Sequence, residues 1–169
     1  MAQSHPFELI HGGTRERRSA FQAPPALAEA IASVALDLSK QKGEIVFREG
    51  TPANGVFLLR SGKARATLFA HDGTLIIDRV LAPGALVGVP SAMCARKFQF
   101  NIDALEDCEL GFVPTNILNE FLRARPDLCM DVVMMMSDEL LELRQSRDHM
   151  QHCGHPECSL FDACNRCEL

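Results

Sequence analysis

Glu44-Ile45-Val46-Phe47, Gly55-Val56-Phe57-Leu58-Leu59-Arg60, Lys63-Ala64-Arg65-Ala66-Thr67-Leu68-Phe69 and Thr74-Leu75-Ile76-Ile77-Asp78-Arg79-Val80 are four short apolar segments between Gly43 and Gly84. They are rich in β-branched and aromatic residues and have the length of strands. Glu49-Gly50-Thr51-Pro52, Ser61-Gly62, His71-Asp72-Gly73 and Ala82-Pro83-Gly84 separate them. Asp-Gly supplies the positive φ angles of a tight hairpin and Pro-Gly suits the middle of a type II turn, so consecutive segments are expected to pair antiparallel. Short strands with regular turns imply a barrel or sandwich.

Lys42-Gly43-Glu44-Ile45-Val46-Phe47-Arg48-Glu49-Gly50, the run from Gly55 to Lys63, and Leu81-Ala82-Pro83-Gly84 resemble the sensor domain of the catabolite-activator-like (Crp/Fnr) cyclic nucleotide-binding family. The likeness extends through Ala104-Leu105-Glu106-Asp107 into the helices beyond, over roughly residues 20–150. It implies a mainly β fold with flanking helices: an antiparallel β-roll or jelly roll (double-stranded β-helix), followed by a long dimerisation helix. The glycines shape turns whatever a member of the family binds, so they indicate the fold more than the ligand.

Composition agrees with one globular domain. The chain has 169 residues, 47% hydrophobic and 23% charged, enough for a sizeable core. A formal net charge of -5 argues against a general nucleic-acid binder. The apolar runs are too short to span a bilayer and the N-terminus lacks a signal-peptide pattern, so the expectation is a cytoplasmic protein with no membrane contact. In that reducing setting the seven cysteines are expected to be thiols, ligands or redox groups rather than structural disulfides.

Residues 1–20 show no periodicity and are expected to be a solvated tail, with Thr14-Arg15-Glu16-Arg17-Arg18 as its basic stretch. Pro24-Pro25 opens an alanine-rich helix from Ala26 to Leu36 in which Leu27, Ile31 and Val34 recur at helical spacing.

Gly84 to Ala104 governs what the interior could bind. In ligand-binding members of the resembled family this region holds a short helix whose amides cradle a cyclic phosphate, an acid for the ribose and an arginine for the phosphate. A buried phosphate needs such donors, because an unpaired buried charge costs several kcal/mol. Here Gly88 matches the family glycine, but Val89 stands at the ribose-binding acid, and the arginine and its neighbour fall on Phe98 and Gln99. Alternation puts Phe98, Phe100, Ile102 and Ala104 on one inward strand face. A slip of one or two residues would offer Arg96 or Lys97 instead; a one-residue slip would also turn that apolar face outward. Ser91 and the amides near Ala92 complete the candidate pocket, and a core packed by Phe98 and Phe100 is the competing reading.

Asp107 to Val113 reads as the last strand. Pro114 suits the start of a helix through Leu122, Arg125-Pro126 breaks it, and a longer helix runs from Asp127 to Met150. Within it Cys129, Val133, Met136, Leu140, Leu143, Arg147 and Met150 alternate steps of four and three, the seam of a two-stranded coiled coil and the expected homodimer contact. Only nineteen residues follow Met150, too few for the helix-turn-helix of the resembled family, so no direct DNA binding by this chain is expected.

Those residues carry Cys153, Cys158, Cys164 and Cys167 in the spacing Cys-x4-Cys-x5-Cys-x2-Cys, with His149, His152 and His155 beside them. Two thiolates two residues apart can turn onto one metal. Zinc, an iron–sulfur cluster, a redox-active or disulfide-linked tail and a plain disordered end are all open on this pattern. Cys94, Cys108 and Cys129 fall within expected elements, where cysteine acts as a small apolar residue. No nucleophile elbow, phosphate loop or His-Glu-x-x-His pattern occurs.

The chain thus divides into a tail (1–20), a sensor roll (21–126), a long helix (127–150) and a Cys/His-rich end (151–169). The expected function is non-enzymatic: a dimeric sensor with a degenerate nucleotide pocket that reads metal or redox state at its C-terminal cysteines. The alternative is a small-ligand module, for a cyclic nucleotide or another effector, acting through a partner protein.

Overall fold

The computed structural model describes residues 21–71, 73 and 75–152, and for 142–152 the course of the helix only. Residues 1–20, Asp72, Thr74 and the Cys153, His155, Cys158, Cys164 and Cys167 candidates lie outside the described residues.

Among the described residues four helices and eight strands follow in the order α1 (Pro25–Val34), β1 (Leu36–Lys40), β2 (Ile45–Phe47), β3 (Gly55–Ser61), β4 (Ala64–Phe69), β5 (Leu75–Leu81), β6 (Leu86–Val87), α2 (Val89–Met93), β7 (Asn101–Ala104), β8 (Cys108–Pro114), α3 (Thr115–Ala124) and α4 (Pro126–His152). Two four-stranded antiparallel sheets face each other, one ordered β1-β8-β3-β6 and the other β2-β7-β4-β5. This is the expected antiparallel roll.

The pairing of consecutive segments is corrected. Only β4 and β5 form a hairpin; β2 pairs with β7, and β3 pairs with β8 and β6. The turn at Ser61-Gly62-Lys63 carries the chain from one sheet to the other, with Gly62 at φ 82°. The Lys63 carbonyl is held there by the amides of Leu105 and Glu106. β1 is also an addition. The first helix stops at Val34 instead of reaching Leu36, because Leu36-Asp37-Leu38 alternates as a strand and pairs with β8.

The faces of the two sheets separate the core into two clusters. Between the sheets lie Phe47, Phe57, Leu59, Ala64, Ala66, Ile77, Leu81, Val87, Ile102 and Leu110. The outer face of the β1-β8-β3-β6 sheet, with Val56, Leu58, Leu86 and Val113, packs on Leu27 and Ile31 of α1, Leu118 and Leu122 of α3, and Leu128, Val132 and Met135 of α4. Val34 is half-buried. Arg60 ties this layer together, donating to the Ala32 carbonyl at the end of α1 (3.2 Å) and pairing with Asp37. Gly111 leaves the space, since a Cβ there would sit 2.8 Å from Ala35 and 3.1 Å from the Arg60 guanidinium.

The outer face of the second sheet is solvated. There Arg65 forms a two-pronged pair with Asp78 at 2.6 Å for both bonds, and Asp103 stands opposite Arg65 on β7. The Arg65 hydrogen bonds hold the Asp78 carboxyl below its ordinary range.

Two outcomes are expected from this layer of packing. Gly55 has no room for a side chain, because a Cβ would collide with the Val113 carbonyl and lie 2.6 Å from the Phe112 ring. Gly55→Ala should therefore cost more than about 2 kcal/mol in urea unfolding, whereas Gly43→Ala, at φ 85° in open space, should cost about 1–2 kcal/mol. Asp78→Asn should cost ~0.2–1 kcal/mol at neutral pH, the range of partly exposed pairs. Since the folded Asp78 titrates below the unfolded one, the wild-type advantage is complete above the unfolded carboxylate pKa of about 4 and disappears as pH falls through the folded value. Urea titrations of both proteins at neutral and strongly acidic pH should show the gap closing.

Candidate functional site: the roll interior and the helix that follows it

The short helix α2 begins on Gly88, at φ 89°, and buries Val89, Ser91 and Ala92. Gly88 is needed twice over. Its backbone is left-handed, and a Cβ would lie 3.0 Å from the Phe98 ring and 3.2 Å from the Gly55 carbonyl. Pro90, the second residue of α2, has no N–H to offer, which shortens the row of amides facing the interior.

Phe98 is 3% exposed and stacks on Phe47, with centroids 3.9 Å apart and planes 14° from parallel. Phe57 tilts against Phe47 at 5.5 Å and against Phe112 at 4.9 Å. Phe100, half-buried, meets Phe47 at 5.7 Å and Phe21 edge-on at 5.3 Å. These six rings form a continuous aromatic cluster between the sheets. Among the described residues the buried polar side chains are Thr67 and Ser91, and no charged side chain is buried.

The expected strand face from Phe98 to Ala104 is corrected in part. β7 starts only at Asn101, and Phe98, Gln99 and Phe100 precede it in irregular backbone. Phe98 faces inward for another reason: its N–H donates to the Thr51 carbonyl and its carbonyl accepts from Gly50, both at 2.9 Å. The Ala53 amide bonds to the Arg96 carbonyl at 3.1 Å, and Pro52 pairs with Lys97. This ladder fixes the register, leaving Arg96, Lys97 and Gln99 exposed. The Gln99 side chain donates back to the Lys97 carbonyl.

Phe21, at φ 72° and 4% exposed, is a core residue that sequence reasoning missed. Its carbonyl accepts from Leu86 at 2.8 Å, and Gln22 pairs with Ala85. An aromatic residue just ahead of Pro24-Pro25 was the only available signal.

The three described cysteines divide. Cys108 is buried, with its thiol toward the Lys63 and Glu106 carbonyls at 3.2 Å, and burial pushes that thiol up. Cys129 is half-buried against the Leu122 carbonyl. Cys94 departs from expectation: it follows the last residue of α2 and is exposed.

Along α4 the residues turned to the chain's own roll are Leu128, Val132 and Met135, one position off the expected seam. Cys129 and Met136 are half-buried at the edge of this contact, while Val133 and Leu140 are 55% and 53% exposed. Met130 and Leu141 join them, making an exposed apolar edge on α4. Leu143, Arg147, Met150 and His152 occupy helical positions along the same element. No group of three metal-ligating side chains occurs among the described residues, and no described helix is long and apolar enough to cross a membrane.

Phe98→Ala removes the ring that stacks on Phe47 and props α2, and should cost ~3–5 kcal/mol in equilibrium unfolding. Gln99→Ala, on the exposed neighbour, should change stability by less than about 0.5 kcal/mol.

The model of the cyclic nucleotide-binding domain family matches residues 38–125, from β1 to the end of α3. Electron transport regulator A of Shewanella oneidensis is 30% identical over 101 residues, 60% of this chain and 40% of that protein. Transcriptional activator protein anr of Pseudomonas aeruginosa is 30% identical over 105 residues, 62% of this chain and 43% of that protein. The chain therefore spans less than half the length of these curated relatives. Among solved structures, the Thermus thermophilus catabolite activator protein has the same fold, with a TM-score of 0.67 at 21% identity over 76% of this chain and 60% of that one. The family match runs through more than half of the sequence and coincides with the two facing sheets, α2 and α3, so this chain belongs to the cyclic nucleotide-binding domain family.

Proposed function

We propose that this chain works as a non-enzymatic, dimeric sensor whose input is metal or redox state at its C-terminal cysteines, with the roll as a scaffold. The aromatic interior carries this reading. A cyclic nucleotide brings a buried phosphate charge and a ribose that need paired donors and acceptors, and the positions that meet them in the resembled family are Val89 and Phe98, 1% and 3% exposed. The names of the relatives, an electron transport regulator among them, lean the same way.

Two further observations support the dimer and the site of input. α4 is 27 residues long, about 40 Å at 1.5 Å per residue, but its described buried residues end at Met135. Beyond that point a helix alone in water is marginal, and the exposed Val133, Leu140 and Leu141 suit a second copy of the same edge. The cysteine-rich end follows directly, so a ligand or oxidation there acts on the helix that joins the two copies. The family match favours a second reading, a cyclic nucleotide or other small effector taken up between the sheets and signalled through a partner protein.

Sedimentation of the purified chain should give a dimer, and Val133→Glu with Leu140→Glu should give a monomer of unchanged roll stability. Mild oxidation or metal removal should shift the wild-type dimer equilibrium. A wild-type monomer, or a dimer indifferent to both treatments with no metal and no change in thiol count, would rule the proposal out.

A further inference from the structure

Residues 21–23 lie as a short strap against residues 83–86 and belong to neither sheet. The Leu86 N–H donates to the Phe21 carbonyl at 2.8 Å, the Ala23 N–H to the Gly84 carbonyl at 3.1 Å, and the Gln22 side-chain amide to the Pro83 carbonyl at 3.2 Å. Gly84 leaves the space for that amide, since a Cβ there would collide with it. Bonds of this kind, outside any ladder, open more easily than those of a strand paired on both sides. Phe21 sits at φ 72°, a left-handed backbone that is an outlier for a bulky side chain. Such strain persists where the surroundings impose it, and it clusters at ligand clamps and switch segments. Here the ring imposes it: Phe21 is 4% exposed and lies in the cluster between the sheets, edge-on to the half-buried Phe100 at 5.3 Å. Phe98, Phe47, Phe57 and Phe112 contact one another without it. Phe21 is therefore the end ring of the cluster, and its departure leaves the central stack intact.

We propose that the roll contains a closable apolar site whose resident occupant is the chain's own Phe21 ring, and that an uncharged, single-ring aromatic molecule takes its place when the strap swings out. The ligand class follows from the surroundings of the ring. They are aromatic and aliphatic, and no charged side chain is buried among the described residues, so an ion there would go unpaired. A space shaped by a phenyl ring and lined by apolar side chains stays dry when emptied and takes up an apolar molecule of that size. Release of the left-handed strain at Phe21 offsets part of the cost of opening. The strap runs directly into α1, where the Ala28 N–H donates to the Pro24 carbonyl at 2.9 Å. Leu27 and Ile31 of α1 share a core cluster with Leu128, Val132 and Met135 of α4, so movement of the strap bears on the layer that holds the long helix. The site does not depend on the C-terminal cysteines; it gives the small-effector reading a place and a ligand class.

The test is a fluorine NMR titration of the full-length chain with 4-fluorotoluene, a labelled copy of the phenylalanine side chain. Phe21→Ala should bind one molecule of this probe per chain, saturably. The wild type should bind it about tenfold or more weakly, because its own ring must leave first. Gln22→Ala, which loosens the strap with Phe21 in place, should bind the probe about threefold more tightly than the wild type. Saturating probe should speed hydrogen exchange at the Leu86 and Ala23 amides of the wild type and leave the Leu110 amide of β8 unchanged. A folded Phe21→Ala that takes up no probe would overturn the site, and so would equal affinities of Phe21→Ala and the wild type. Should Phe21→Ala fail to fold, the other two proteins decide: no binding to either, or binding to the wild type without faster exchange at Leu86 and Ala23, overturns the site. Each of these failures leaves the cysteine input untouched.

Discussion

The stack of Phe98 on Phe47 is the contact on which the rest of the roll depends. It joins a strand of the second sheet to the segment after α2, and Phe57 and Phe112 carry it across to the first sheet. Gly88 is bare because Phe98 occupies the space a Cβ would need. The loop from Arg48 to Ala53 is held because the Phe98 backbone bonds to it on both sides. Each aromatic ring buries a large apolar area, and rings in mutual contact add roughly 0.5–1.5 kcal/mol per pair beyond that burial.

The same stack bears on function. A family whose folds are shaped around a cyclic phosphate here encloses phenylalanines, with every charged side chain of the described residues outside the core. Arg96 and Lys97, the cations nearest in sequence, are directed to solvent by the ladder that turns Phe98 inward. The proposed ligand chemistry of the chain lies instead in the Cys/His-rich sequence that follows Met150, next to a helix whose apolar edge is exposed.

Much of this was legible in the sequence, for definite reasons. Gly43, Gly62, Gly73, Gly84 and Gly88 all adopt positive φ, so the turns and the roll could be read from glycine placement. Strand pairing could not. Ser61-Gly62-Lys63 looks like a hairpin locally, and only the distant carbonyl contact from Lys63 to Leu105 and Glu106 sends β4 into the other sheet. The inward direction of Phe98 was anticipated from alternation but arises from backbone bonds to Thr51 and Gly50, a long-range cause with the same result. On α4 the seam residues Val133 and Leu140 are exposed, whereas the neighbouring line Leu128, Val132 and Met135 meets the roll. Helical periodicity alone gives both lines nearly equal weight, because the apolar residues of α4 spread over a broad arc of the helix.

The central claim is that phenylalanines fill the place where relatives of this fold meet a phosphate. Calorimetric titration of the purified chain with cyclic AMP and cyclic GMP tests it most directly. The account predicts no saturable heat with either nucleotide; stoichiometric, saturable binding that is lost when Ser91 or the α2 backbone is altered would contradict it.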